Sequence, residues 1–181
     1  MKNTYEIDPT HSSVQFSVRH LMVTNVRGSF RGVKGSVSYD PADPATATFE
    51  ATIDVNSINT NDEKRDGHLK SADFFDVAKY PTMTFKGTRL EKVSDEEFKA
   101  TGDLTLHGVT KEVVLTVDEV SKEAKDPWGG SRVGATVKGK IKRSDFGLTY
   151  NAPLETGGMM LGDEVKLELD IQFVKTQSAA A

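Results

Sequence analysis

From Gly162 to Val174 the chain alternates strictly. Val165, Leu167, Leu169, Ile171 and Phe173 are apolar, and Glu164, Lys166, Glu168, Asp170 and Gln172 between them are polar. A period of two places one set on each face of a strand. A strand with one dry and one wet face belongs in an antiparallel sheet. The same pattern recurs through Val14, Phe16 and Val18, through Ala47, Phe49, Ala51, Ile53 and Val55, and through Met83 and Phe85. It returns in Phe98 to Leu106, in Val113, Leu115 and Val117, and in Val133 to Ile141. A short strand through Tyr5 and Ile7 ends at the turn Asp8-Pro9-Thr10-His11. The run from Val26 to Tyr39 is interrupted by Gly28, Gly32 and Gly35, which mark bulges or bends in a curling sheet.

His20-Leu21-Met22-Val23 breaks the alternation, so an irregular or helical turn is expected there. Asp40-Pro41-Ala42-Asp43-Pro44 reads as a turn. His107-Gly108-Val109-Thr110 reads as a tight hairpin connection. Lys125 to Gly130 and residues 143–161 read as loops, the second ending in the exposed pair Met159-Met160. Residues 57–76 are the only good helical candidate. Asn61 or Asp62 is placed to cap it, and Leu69, Ala72 and Phe74 or Phe75 recur at helical spacing. Tyr80-Pro81 stops it. About eight strands and one helix follow, and one helix cannot cover two sheet faces. The apolar faces must meet each other, in a sandwich or a closed barrel, and pattern alone leaves both open. A barrel of about eight strands is just wide enough to be filled by side chains or to hold one small ligand.

Length and composition narrow the function. The chain has 181 residues, 36% hydrophobic and 28% charged, which suits one domain, residues 1–175, with a disordered or vector-derived tail over 176–181. A net charge of −4 gives no electrostatic reason to expect nucleic acid as a partner. With no cysteine, disulfides, thiolate metal sites and cysteine nucleophiles fall away together. No stretch approaches the roughly 18 consecutive apolar residues of a membrane-spanning helix, so an integral membrane protein is not expected. The amino-terminal residues carry no apolar run of signal-peptide length, which predicts a cytoplasmic protein, or a periplasmic one if a leader has been removed.

Motif matches are weak one by one. Gly134 to Lys140 fits the start of a phosphate-binding loop, but Ile141 stands where Ser or Thr must hold magnesium, and the segment alternates as a strand. Gly129-Gly130-Ser131-Arg132 begins like a nucleophile elbow, yet Val133 replaces the closing glycine. His11, His20, His68 and His107 are too far apart in sequence to form a local metal site, so no metal is expected. Arg65-Asp66-Gly67-His68 is the densest polar cluster. It reads either as a solvated helix face or, with Arg19 and His20, as a ring at a barrel mouth facing an anionic head group, a role that suits the planar guanidinium fork.

Together, several runs resemble the YceI-like family, whose members are polyisoprenoid- or lipid-binding proteins. They are Ile7 to Ser12, Phe16 to Val23, Val26 to Phe30, Arg65 to Asp76 with Tyr80-Pro81, Gly102 to Thr110, Arg143 to Leu148, and Gly162 to Val165. They stand in the family's order across residues 5 to about 174. The resemblance implies an all-β fold, an antiparallel eight-stranded lipocalin-like β-barrel with an elongated apolar pore and one short helix at about residues 57–76. It implies a polyprenyl pyrophosphate, quinone-like tail or other lipid as ligand, and by analogy a homodimer, and it carries no catalytic residue. The expectation is a non-catalytic lipid carrier or store with no cofactor beyond its lipid. Phe16, Val18, Phe49, Ile53, Phe85 and Leu104 are expected to line the pore, and Arg19, His20, Arg65 and His68 to stand near its mouth. Two alternatives remain: a packed barrel acting as an interaction module, and an enzyme working on a lipid head group through Asp66 with His68 or His20.

Overall fold

The structure, a computed structural model, describes residues 2–176. Thr176, placed in the expected tail, still donates from its backbone N–H and its hydroxyl to the Thr4 carbonyl at 2.9 and 3.0 Å. Residues 177–181, the rest of that tail, lie outside the described residues.

The strands in chain order are β1 (Asn3–Ile7), β2 (Ser13–His20), β3 (Thr24–Phe30), β4 (Val33–Tyr39), β5 (Thr48–Asp54) and β6 (Thr82–Lys92). They continue with β7 (Phe98–Leu106), β8 (Val109–Asp118), the short β9 (Ala124–Lys125), β10 (Ser131–Lys142) and β11 (Leu161–Lys175). β1 and β2 both run antiparallel along β11 and act as one stave broken at Asp8–Ser12, and β3 and β4 make a second broken stave beside them. The staves then follow the chain through β5, β6, β7, β8 and β10. β10 pairs with β11 over its whole length, from Arg132↔Val174 to Lys142↔Glu164. That pairing closes the ring, so the two apolar faces left open by pattern are the inside of one closed antiparallel barrel of eight staves.

Register explains the sidedness. Because Ile53 pairs with Met83, Phe85 with Leu104, and Leu167 with Phe16, the apolar members of neighbouring strands share the inner face. The outer face of β11 carries Glu164, Lys166, Glu168 and Asp170, all exposed. A barrel that crosses a membrane is apolar on that side.

The helix is shorter than the sequence pattern predicts. A 3-10 turn covers Val55–Ser57, and the only α-helix among the described residues, α1, is Glu63–Lys70. Asp62 caps it by accepting from the Arg65 N–H at 3.0 Å. At the other end the Ser71 N–H and hydroxyl both donate to the His68 carbonyl, and Asp76 turns the chain through a left-handed φ of 48°. The apolar spacing of Leu69, Phe74 and Phe75 therefore continues through turns rather than helix. His107 and Gly108 form the expected tight β7–β8 turn, both with positive φ.

Up-and-down order puts the connection 55–81 with α1, the 21–23 turn, the 107–108 turn and the 143–160 segment at one end of the barrel. The 40–47, 93–97 and 119–130 connections, the start of β1 and the end of β11 lie at the other.

Candidate ligand cavity

The inner face encloses an apolar cavity of about 860 Å³. Eight staves are wide enough to hold a small ligand, and this volume lies within the range of ligand pockets. The burial pattern shows the hollowness. Ile171, Ala135 and Leu104 are buried, but Val165, Leu167, Leu169, Phe16, Val18, Phe49, Ile53 and Phe85 face inward and stay only half-buried. In a packed core these side chains would be closed off by neighbours.

Glycines keep the lumen open. A Cβ on Gly28 would run into the Phe16 ring, one on Gly87 into the Phe49 ring, one on Gly102 into the Phe85 ring, and one on Gly139 into Leu115. Each bulky side chain lies along the wall, over a glycine of the adjacent strand, instead of across the pore. The rings also support each other: Phe16 and Phe30 are 5.5 Å apart, Phe30 and Phe75 5.9 Å, and Phe49 and Phe85 6.1 Å.

All six residues expected to line a pore do face this cavity. Of the four placed near a mouth, His20, Arg65 and His68 reach it at the α1 end. Arg19 does not. It is one step along β2 from inward-facing His20, so it lies outside, exposed, with Nη2 donating to the Met22 carbonyl at 3.3 Å. Arg65 is partly committed, since Nε donates to the Thr60 hydroxyl and Nη2 to the Thr60 carbonyl, both at 2.8 Å. Asp66 accepts from the Thr60 N–H at 2.9 Å. The His68 Nε2 lies 2.8 Å from the Asp73 carboxylate, and its ring packs within about 5 Å of Phe74 and Tyr150.

Sequence reasoning missed Arg143. It lines the cavity at the same end and is 7% exposed. Nε donates to the Gly162 carbonyl at 2.8 Å, and Nη1 donates to the carbonyls of Leu148 at 2.7 Å and Tyr150 at 3.0 Å. Among the described residues no carboxylate lies within ion-pair distance of it, and Nη2 has no hydrogen bond. Burial pushes the guanidinium below its ordinary pKa, opposed by the more distant Asp163 charge. The signal was present. Continuing the β10 alternation from Ile141 by one step of two puts Arg143 on the inner face. At the opposite end Tyr5 and Glu123, also missed, line the cavity. The Tyr5 phenol is pushed up to about 12, by burial first and then by its 3.0 Å hydrogen bond to Glu123.

The family model for the YceI-like domain matches residues 5–173. The chain belongs to that family. A UPF0312 protein of Staphylococcus aureus is 43% identical over 93% of this chain and 96% of its own. The YCEI protein of Campylobacter jejuni is 34% identical, with a TM-score of 0.73 over 88% of this chain and 90% of that one. Two further solved structures share the fold. BcnA of Burkholderia cenocepacia has a TM-score of 0.79 at 24% identity, covering 92% of this chain and 98% of that one. A polyisoprenoid binding domain from Saccharophagus degradans, implicated in plant cell wall breakdown, has 0.67 at 19%, covering 95% and 98%.

Proposed function

We propose that this YceI-like protein binds and carries a long-chain isoprenoid or similar amphiphilic lipid, without catalysis, with the chain in the barrel cavity and the head group at the α1 end. The observation that carries the reading is the open apolar lumen, its rings held against the walls by glycines. The Saccharophagus degradans domain, alike in fold, supports the class of cargo by analogy. Each buried methylene contributes about 0.8 kcal/mol, so a long chain brings a large gross driving force even after ordering costs. Apolar contact is undirected and selects length and width. Orientation comes from the polar groups gathered at one end, His20, Arg65, His68 and Arg143, of which Arg143 brings a buried charge with an unused N–H pair.

Native mass spectrometry of the purified protein, followed by organic extraction, tests this. A stoichiometric isoprenoid or other amphiphile is the expected result. An apo mass that persists after incubation with polyprenyl compounds would overturn the reading. Phe49→Asp, which puts a charge on the wall, should lower lipid binding at least about tenfold.

A further inference from the structure

The α1 end carries exposed apolar side chains on two touching turns. Leu21 is 43% exposed, Met22 63%, Val23 74% and Met159 49%. The Leu21 N–H donates to the Met160 carbonyl at 2.7 Å, and Met22 lies against Gly158, so the two turns form one lip. The residues just behind it, His20, Met160 and Leu161, line the cavity.

The backbone shows that this exposure is imposed. Leu21 and Met22 hold left-handed φ values of 51° and 58°, which disfavour side chains with a Cβ. Glycine or asparagine would adopt that turn easily. Here two large apolar residues adopt it and point their side chains into solvent. Such strain persists only where the surroundings enforce it. The bond to Met160, a 3.1 Å bond from the Val23 N–H to the His20 carbonyl, and the Arg19 guanidinium on the Met22 carbonyl supply the enforcement.

We propose that Leu21, Met22, Val23 and Met159 insert into a phospholipid bilayer, with Arg19 meeting lipid phosphates, so that the protein docks with its cavity mouth on the source of its cargo. This rests on the lipid-carrier reading. Two observations favour a bilayer as the occupant. The lip is continuous with a cavity suited to a molecule that resides in bilayers, and an exposed cation sits beside the apolar tips, as in interfacial membrane anchors. The bulk of the barrel stays outside, since its outer wall is charged.

The test compares flotation with phosphatidylcholine–phosphatidylglycerol vesicles against binding of farnesyl pyrophosphate in vesicle-free buffer. Replacing Met22 and Val23 together by Asp should lower vesicle association at least about tenfold. Farnesyl pyrophosphate binding should stay within about twofold. Met159→Asp on the other turn should act in the same direction, and Val93→Asp, at the opposite end, should change nothing. Because the chain has no cysteine, Met22→Cys takes a single environment-sensitive fluorophore, whose emission should shift to the blue on vesicles. Unchanged flotation of the lip variants, or no flotation and no shift for the parent protein, overturns the proposal. So does a dimer in vesicle-free solution that the lip variants dissociate, because a second copy then covers the lip. Failure of the carrier reading shows separately, as no farnesyl pyrophosphate binding by the parent protein.

Discussion

The two ends of the barrel solve the same problem, how to finish a hollow cylinder, with different buried chemistry. At the end formed by the start of β1, the end of β11 and the 119–130 connection, ion pairs that water can solvate ring the rim beside the exposed side chains of Trp128 and Val93. Glu123 accepts from the Tyr5 hydroxyl at 3.0 Å and from Lys175 at 3.1 Å, and Lys92 meets Asp95 at 2.7 Å. At the α1 end, apolar tips face outward and a nearly buried arginine faces inward, held by neutral carbonyls. Charge exposed to water is inexpensive and weakly stabilising, so the first rim is ordinary surface. A buried guanidinium without a carboxylate and a row of exposed apolar side chains both carry a folding cost. The proposed placement of the lipid head group at the α1 end rests on that asymmetry.

The largest effect expected from breaking this contrast is at Arg143. Replacing it by Met keeps much of its bulk but strips a hydrogen-bond donor from the carbonyls of Gly162, Leu148 and Tyr150. Loss of charge-assisted bonds at a buried site should destabilise the protein by roughly 3 kcal/mol, read as a lower urea midpoint. Arg143→Lys should recover little, because one ammonium cannot span carbonyls on two segments. Stability equal to the parent's in Arg143→Met would remove the arginine from its structural role and weaken the contrast between the ends.

A smaller, more selective effect is expected midway along the pore. Gly87→Ala puts a methyl where the Phe49 ring lies, and the ring must swing toward the lumen. Overpacking of this kind costs about 1–3 kcal/mol. Binding should fall about tenfold for long chains and less for short ones. Adding Phe49→Ala should restore the long chains. Equal losses for all chain lengths would mean that the glycine supports the fold and does not set the bore.

How far these features were legible follows from what each signal encodes. Strand alternation encodes sidedness, and it identified the inward residues from Phe16 to Leu104 because a period of two leaves little freedom. It did not encode closure, which depends on β10 and β11 pairing from Arg132↔Val174 to Lys142↔Glu164; the family resemblance supplied that. Arg19, expected near the mouth, does not line the cavity, for a reason the alternation itself contained, since the neighbour of an inward His20 points out. The helix was overextended because Leu69 and Phe75 pack inward with helical spacing while the backbone between them turns at Ser71 and Asp76. The lumen was least legible. It depends on aromatic rings lying over glycines of neighbouring strands, a relation between residues far apart in sequence.

The smallest of the expected effects tests the polar flank near the ion-paired end. Asp8 accepts from the Thr10 hydroxyl at 2.6 Å, sits 2.9 Å from His11 Nδ1, and accepts from Arg132 at 2.6 Å. Arg132 also donates to Asp126 at 2.8 Å, which ties the β1–β2 break to the 125–130 turn. The Thr10 hydroxyl bond first, then His11 and Arg132, hold the Asp8 carboxyl well below the usual carboxylate range. A carboxyl whose folded pKa is depressed contributes stability that is present above its unfolded value and lost as pH falls through the folded one. The contribution should therefore be complete at neutral pH and fade once the pH drops below about 4, near the ordinary aspartate value. Asp8→Asn should destabilise by about 1 kcal/mol at pH 7 and by progressively less toward pH 2, so the two urea midpoints converge on acidification. A constant gap between them at all pH values would show that the side chain acts through its shape and hydrogen bonds and not through its charge. Even then the effect should remain confined to stability, since Asp8 lies outside the lumen, and lipid binding measured at pH 7 should not change.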